Sequence, residues 1–177
     1  EVVTATDANG TGFRAVARDR IFLVVIAANV VLVVVGHTFF SNILPPFAKA
    51  HTPVGPAEIG IIVLVNTSFI VIAQIPAVRV VARMRRTHAF ALASGLFAVS
   101  LLAVLPATLI DPELAATSLL AGVAIVFALG EIAHILVLGP LVADMAPAHL
   151  LGRYLSLYSL TFTLSLAIGP AIGGLLL

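Results

Sequence analysis

From Ile21 onward the chain is almost wholly apolar, interrupted only by four short polar segments, Pro45–Pro56, Arg79–Arg86, Pro106–Glu113 and Gly139–Arg153. Each run between them is about 22 to 25 residues long, and roughly 20 apolar residues carry a helix across a hydrocarbon core. We therefore expect five membrane-spanning helices, at about 21–44, 57–78, 88–108, 114–138 and 154–177. Lipid permits little besides helices, because backbone groups left unpaired in hydrocarbon are too costly. The breaks carry helix signals as well. Asp111-Pro112-Glu113 offers an N-cap, a first-turn proline and an acid near the positive helix end. Gly55-Pro56 with Glu58 does the same before the second span, Thr87 before the third and Pro147 before the fifth.

Charge adds an orientation. The first break holds only Lys49, the second holds Arg79, Arg83, Arg85 and Arg86, the third holds no basic residue, and the fourth holds Arg153. With Arg14, Arg18 and Arg20 ahead of the first run, every basic residue except Lys49 falls on one side. Short loops rich in Lys and Arg stay cytoplasmic, so the amino-terminal side is expected there, in a multi-pass protein of the cell membrane. Composition excludes a soluble domain. Charged residues are 10% of the chain against roughly 25% in soluble domains, and mean hydropathy is +1.19. A net charge of +1 leaves no field for nucleic acid, and the lack of cysteine rules out disulfides and thiol chemistry. Glu1–Asn9 is polar and acidic, unlike a signal peptide. The chain lacks an initiator methionine and stops inside an apolar run, so it is expected to be a fragment of a longer protein.

Residues 1–20 read as a cytoplasmic linker and juxtamembrane helix, and 21–177 as a partial transmembrane bundle. Thr6–Gly12 is a small-residue linker. Phe13, Val16, Ala17 and Ile21 then recur at helical spacing, with Arg14 and Arg18 on another face, as suits a helix resting on anionic headgroups. Gly10-Thr-Gly12-Phe-Arg-Ala15 fits a dinucleotide pattern, but that pattern needs a buried strand before it and a βαβ unit around it, so the linker reading stands.

Polar residues inside the spans are the candidates for function. Glu131 lies deep in the fourth run, sharing one helix face with Phe127 and His134. A carboxylate near the bilayer centre costs about 2.5–3.5 kcal/mol on insertion scales, so it should face the bundle interior or a water-filled cavity and exchange a proton. The alternative is a packing role, with Glu131 hydrogen-bonded to His134 or a hydroxyl. The first span holds Asn29 and Gly36 on one face, His37 beside them, and Asn42 closing the helix. The second holds Asn66, Thr67, Ser68 and Gln74, with Thr67 and Gln74 on one face suited to interhelical packing. In the fifth, Ser165, Gly169 and Gly173 form a small-residue stripe, Pro170 and Gly174 add a possible bend, and Ser156, Ser159 and Thr163 make a hydroxyl face. Packing or gating follows from either pattern. Glu-x-x-His would serve a di-metal site only with matching acids on other helices, and none is present. No metal, cofactor or catalytic residue is expected. The chain has no His-Glu-x-x-His, phosphate-cradling glycine loop or serine elbow, so it does not read as an enzyme.

Several segments together resemble the major facilitator superfamily. Gly130-Glu131, Pro140, Asp144-Met-Ala-Pro147 and Leu150-Leu-Gly-Arg153-Tyr154, before a helix ending Gly-Pro-Ala-Ile-Gly-Gly, are similar to the tenth and eleventh helices of multidrug-efflux-type members. Gln74-Ile-Pro76 through Arg86 resembles the connection between the eighth and ninth helices, and Phe13-Arg14 with Arg18-Asp19-Arg20 resembles the central linker entering the seventh. The first half of that fold carries a Gly/Asp-Arg/Gly-Arg signature and an arginine in its fourth helix, both absent here. The resemblance therefore implies an all-α polytopic bundle of five helices, the seventh to the eleventh. It implies alternating access with substrate held between halves, and proton-coupled export of small, amphipathic molecules. The seventh and tenth helices would line the cavity, making Asn29, His37, Glu131 and His134 the substrate or proton-pathway candidates. Arg79, Arg83, Arg85 and Arg86 would hold their cytoplasmic loop to headgroups or to neighbouring helix ends, and Arg153 belongs to the next cytoplasmic loop. The partners implied are the bilayer, the missing amino-terminal half and a small-molecule substrate. The alternative is a truncated, non-transporting remnant, or a half-transporter acting only with a partner half.

Overall fold

A computed structural model describes residues 11–176. Most of the expected Thr6–Gly12 linker, and the Gly10 that opens the glycine pattern, lie outside the described residues. Among the described residues every regular element is helical. A short α1, Thr11–Val16, precedes five helices long and apolar enough to cross a membrane. These are α2, Arg20–His51; α3, Pro56–Val81; α4, Arg86–Leu109; α5, Glu113–Met145; and α6, Leu151–Leu176.

The five expected spans are present, but two run past the prolines expected to end them. α2 continues through Pro45-Pro46 to His51, so Asn42 does not close it. The reason is local. Phe39–Ile43 winds as a π-helix whose last N–H, that of Leu44, bonds Phe39 O, and the two prolines then fall in the first turn of a fresh α segment. Proline is tolerated there, because its missing N–H would have had no partner. α5 likewise passes Gly139-Pro140 and ends at Met145. Pro140 removes one rung of the ladder, while fully buried Val137, Leu138 and Val142 hold the helix on either side. Gly55-Pro56 opens α3 as expected. Thr87 and Asp111 cap nothing: α4 starts one residue earlier, after extended Arg85, and α5 starts after Pro112, which occupies the cap position itself.

The juxtamembrane helix is shorter than its periodicity suggests. α1 stops at Val16, and Asp19 caps α2 by accepting from the N–H groups of Ile21 and Phe22, both at 3.1 Å. α1 turns inward, with Val16 fully buried in a cluster with Phe22, Ile26, Val142, Leu150 and Tyr154. The Tyr154 hydroxyl donates to Asp19 Oδ2 at 2.8 Å, tying the start of α6 to the start of α2. The Phe22 N–H and then the Tyr154 hydroxyl hold the Asp19 carboxyl below its ordinary 3.8, outweighing the opposing effect of burial, and the Ile21 N–H adds the smallest contribution. A depressed carboxylate stabilises the fold above its unfolded pKa, and that contribution is lost as pH falls through the lower folded value. Asp19→Ala is therefore expected to cost about 0.5–2 kcal/mol at pH 7, the usual cost of a lost N-cap. Thermal unfolding in detergent should show the gap to wild type narrowing below pH 3.8; a gap independent of pH would remove the carboxylate from the account.

α5 is the axis of the bundle. Of its most apolar stretch 56% is buried, against 33% or less in the other four spans. α3 and α4 pack along it, and α6 also touches it. One core joins Phe40 and Leu44 of α2, Ile62 of α3, Phe97 of α4, and Leu120 and Phe127 of α5. In α3 the packing hydrogen bond comes from Asn66, whose buried Nδ2 donates to Ala124 O at 3.2 Å. Thr67 and Gln74 are exposed, so the face they share is not the packing face. An interhelical bond of this kind in lipid contributes about 0.6–2 kcal/mol.

Candidate functional site: an acid–histidine relay between α2 and α5

The site begins with how α2 winds. Val33–His37 and Phe39–Ile43 are π turns, with Thr38 N–H bonded to Val33 O and Leu44 N–H to Phe39 O, five residues back in each case. Gly36, Phe40, Leu44 and Ala48 are all buried and spaced by four. On ordinary α winding a spacing of four drifts by about 40° per step. The wider turns offset that drift and keep these residues on the buried side of α2, with Phe40 stacked on Phe127 of α5 and Gly36 against Phe97 of α4. Such turns recur at functional positions of helices.

Across from them, Glu131 and His134 stand one turn apart on α5. Glu131 lies about 27 Å along the axis from Glu113 and about 21 Å from Met145, at 1.5 Å per residue. The structure brings all four candidates expected from the sequence into one chain of contacts. Glu131 Oε1 is 3.1 Å from His37 Nδ1. His37 Nε2 is 3.5 Å from His134 Nδ1, and His134 Nε2 is 3.0 Å from Asn29 Oδ1. Exposure falls along the chain: the Glu131 and His37 side chains are 17% and 11% exposed, whereas His134 and Asn29 are 0%. The chain therefore has a wetter end and a dry end.

Tautomers follow from the partners. With Asn29 Oδ1 accepting, His134 Nε2 carries hydrogen and its Nδ1 accepts from His37 Nε2–H. His37 Nδ1 is then left facing the carboxyl. Either a protonated Glu131 donates to it, or His37 is the cation and donates to the carboxylate. One proton belongs to the pair, and moving it leaves the sum of charge unchanged. Both ring nitrogens of each histidine are engaged within the chain. Among the described residues no group of three or more His, Asp or Glu is disposed to hold a metal ion.

Aromatic rings enclose His37. The rings of Phe97, Phe162 and Phe127 lie at 5.7, 6.0 and 6.3 Å between centroids, each edge-on to the imidazole. Phe97 is wedged between two glycines: a Cβ on Gly130 would come within 2.9 Å of its ring, and one on Gly36 within 3.1 Å. A methyl at Gly130 would force this ring to shift, and one at Gly36 would crowd it. Phe97 and Phe162 were not foreseen, since aromatics in apolar runs give no signal. Asp19, directly before an apolar run, did carry a legible cap signal.

The remaining candidates divide. Gly169 and Gly173 of α6 pack on α2, where a Cβ would collide with Thr38 and Ile43 respectively, while Pro170 is exposed and Gly174 faces open space. In the hydroxyl face of α6, Ser156 and Thr163 donate to carbonyls of their own helix. The arginines sit at the end of the bundle where α1 lies, away from the relay. Arg86 Nε bonds Asp144 Oδ2 at 3.2 Å, fastening the start of α4 to the end of α5. The Arg153 guanidinium lies 5.8 Å from the centre of the Phe13 ring.

A family model described as Major Facilitator Superfamily matches residues 26–177, a range that contains all four relay residues and every spanning helix but the first turns of α2. No curated protein and no solved structure matches the chain.

Proposed function

The chain belongs to the major facilitator superfamily, a family of multi-pass membrane transporters, and we propose that it carries the proton-coupling site of a secondary exporter of small, amphipathic molecules. The supporting observation is the 3.1 Å pair between His37 and Glu131, set deep in the membrane and continued by His134 and Asn29. A partner that itself exchanges protons, at the more exposed end of the chain of contacts, favours proton handling over packing alone. A Glu–His pair holds one proton on either partner at no net charge, and when a proton enters or leaves, the single charge that results is hydrogen-bonded to the other partner instead of standing alone in low dielectric.

In this reading the pair loads a proton from outside the cell and holds it while the cavity faces outward. It then releases that proton as the bundle turns inward and substrate has left, the reverse exchange that alternating access requires. His134 and Asn29 fix the tautomer of His37, so its Nδ1 stays directed at Glu131. The end bearing α1 and the arginines is cytoplasmic, since Arg14, Arg18, Arg20, Arg79, Arg83, Arg85, Arg86 and Arg153 belong to that end and only Lys49 to the other. The membrane is the cell membrane, and the other half of the fold supplies the opposing cavity wall.

The test uses the full-length transporter in proteoliposomes, with an amphipathic fluorescent dye as cargo. Glu131→Gln is expected to lose pH-gradient-driven dye movement by about 100-fold, the scale of a removed acid–base group, and to keep downhill dye exchange. Undiminished gradient-driven movement would sink the assignment.

A further inference from the structure

We propose that the outer face of α3 and α4 holds a bound anionic phospholipid, its phosphate on Arg79 and Arg83 and one acyl chain in the hollow beneath. Two adjoining hollows make the site, and they share Pro76 and Val80 of α3. One, about 580 Å³, is walled by these two residues with Arg79, Arg83 and Met84. The other, about 390 Å³, runs from them toward the middle of the bundle between Ala77 of α3, Leu92 and Leu96 of α4, and Ala133 of α5, and is lined only by apolar residues. The trough exists because Ala77 and Ala133 are too short to fill the space between three helices. A charged mouth opening on an apolar trough is the shape of a lipid, not of a free anion.

Charge points the same way. Arg79 stands in the last turn of α3 and Arg83 in the turn just past its end, and both line the same hollow, where like charges repel. Both are exposed, and among the described residues the arginine-loop ion pair is that of Arg86 with Asp144, with no acidic group against Arg79 or Arg83. They lie where an apolar helix ends, at headgroup depth, and each arginine there favours an anionic lipid several-fold. A counter-anion tethered to hydrocarbon satisfies the mouth and the trough together. None of the four relay residues lines either hollow, and the test requires no transport assay.

The purified full-length protein, stripped of lipid in detergent, would be titrated with dioleoyl phosphatidylglycerol or dioleoyl phosphatidylcholine and retention read by native mass spectrometry. Phosphatidylglycerol should be retained roughly 10-fold better. Arg79→Gln with Arg83→Gln should erase that preference, whereas Arg14→Gln with Arg18→Gln, equal in charge lost, should keep it. Ala77→Phe should lower retention of both lipids, and inorganic phosphate should displace neither. Circular dichroism confirms the helical content of each variant. Equal retention of the two lipids would overturn the proposal. So would an unchanged preference in the Arg79/Arg83 variant, its loss in the Arg14/Arg18 variant, no effect of Ala77→Phe, or displacement by phosphate.

Discussion

Replacing His37 by phenylalanine is expected to abolish gradient-driven transport as fully as Glu131→Gln does, and combining the two is expected to add nothing. Phenylalanine preserves the ring that Phe97, Phe127 and Phe162 enclose but cannot exchange a proton or hold one for Glu131. The carboxyl, 3.1 Å from His37 Nδ1 in the native protein, then has no base to share its proton with. Without the imidazole, Glu131 loses the group with which it exchanges its proton, and the cycle stalls. We expect losses of about 100-fold in each single variant and in the double variant, since groups acting as a unit are not additive. His134→Gln should do less, because His134 positions His37 and does not itself face the carboxyl. Gradient-driven and downhill rates measured side by side separate coupling from folding. Losses that multiply in the double variant would mean that the two residues act independently.

Much of this arrangement was legible before any coordinates. Run lengths give five spans because lipid demands a continuous apolar helix, and a three-residue spacing suffices to put Glu131 and His134 on one face. What could not be read is the pairing across helices. His37 and His134 are 97 positions apart, and their meeting depends on how far α2 is unwound and how closely Phe97 nests between Gly36 and Gly130. Those are properties of packing, to which periodicity is blind. The prolines misled for a related reason. Pro45-Pro46 is a break in α-helical logic, yet a π turn ahead of it resets the ladder and lets α2 continue. Thr67 and Gln74 misled because polarity alone does not say which face of α3 turns inward, and the neighbouring Asn66 does the packing. The arginine pattern places charge at one end but does not distinguish Arg86, bound to Asp144, from Arg79 and Arg83 above an apolar trough.

The glycines of α6 look alike in sequence and should behave very differently on substitution. At Gly169 an added methyl meets the Thr38 hydroxyl at impossible range and lies 2.7 Å from Thr38 Cβ. A Cβ is fixed to backbone and cannot swing aside, so α6 and α2 must part. Gly169→Ala is therefore expected to cost about 1–3 kcal/mol of overpacking, or roughly 2–12 °C in thermal unfolding for a chain of this size. At Gly173 the methyl crowds Ile43 Cγ1 and Cδ1, at 2.7 and 2.8 Å, and meets Thr38 Cγ2 at an ordinary 4.0 Å. A side-chain rotation relieves that contact, and the cost should be smaller. At Gly174 nothing lies within 4 Å, so alanine should be neutral or stabilising by up to about 1 kcal/mol through helix propensity. The expected order of melting temperature in detergent is Gly174→Ala at or above wild type, then Gly173→Ala, then Gly169→Ala. Adding Thr38→Gly to Gly169→Ala should recover part of the loss. Thr38 directly follows His37 on the π-wound stretch of α2, so displacing α2 there also disturbs the 3.1 Å pairing of His37 with Glu131. Gly169→Ala should accordingly depress gradient-driven transport more than downhill exchange, while Gly174→Ala spares both. Equal melting temperatures for the Gly169 and Gly174 variants would refute this contact between α6 and α2.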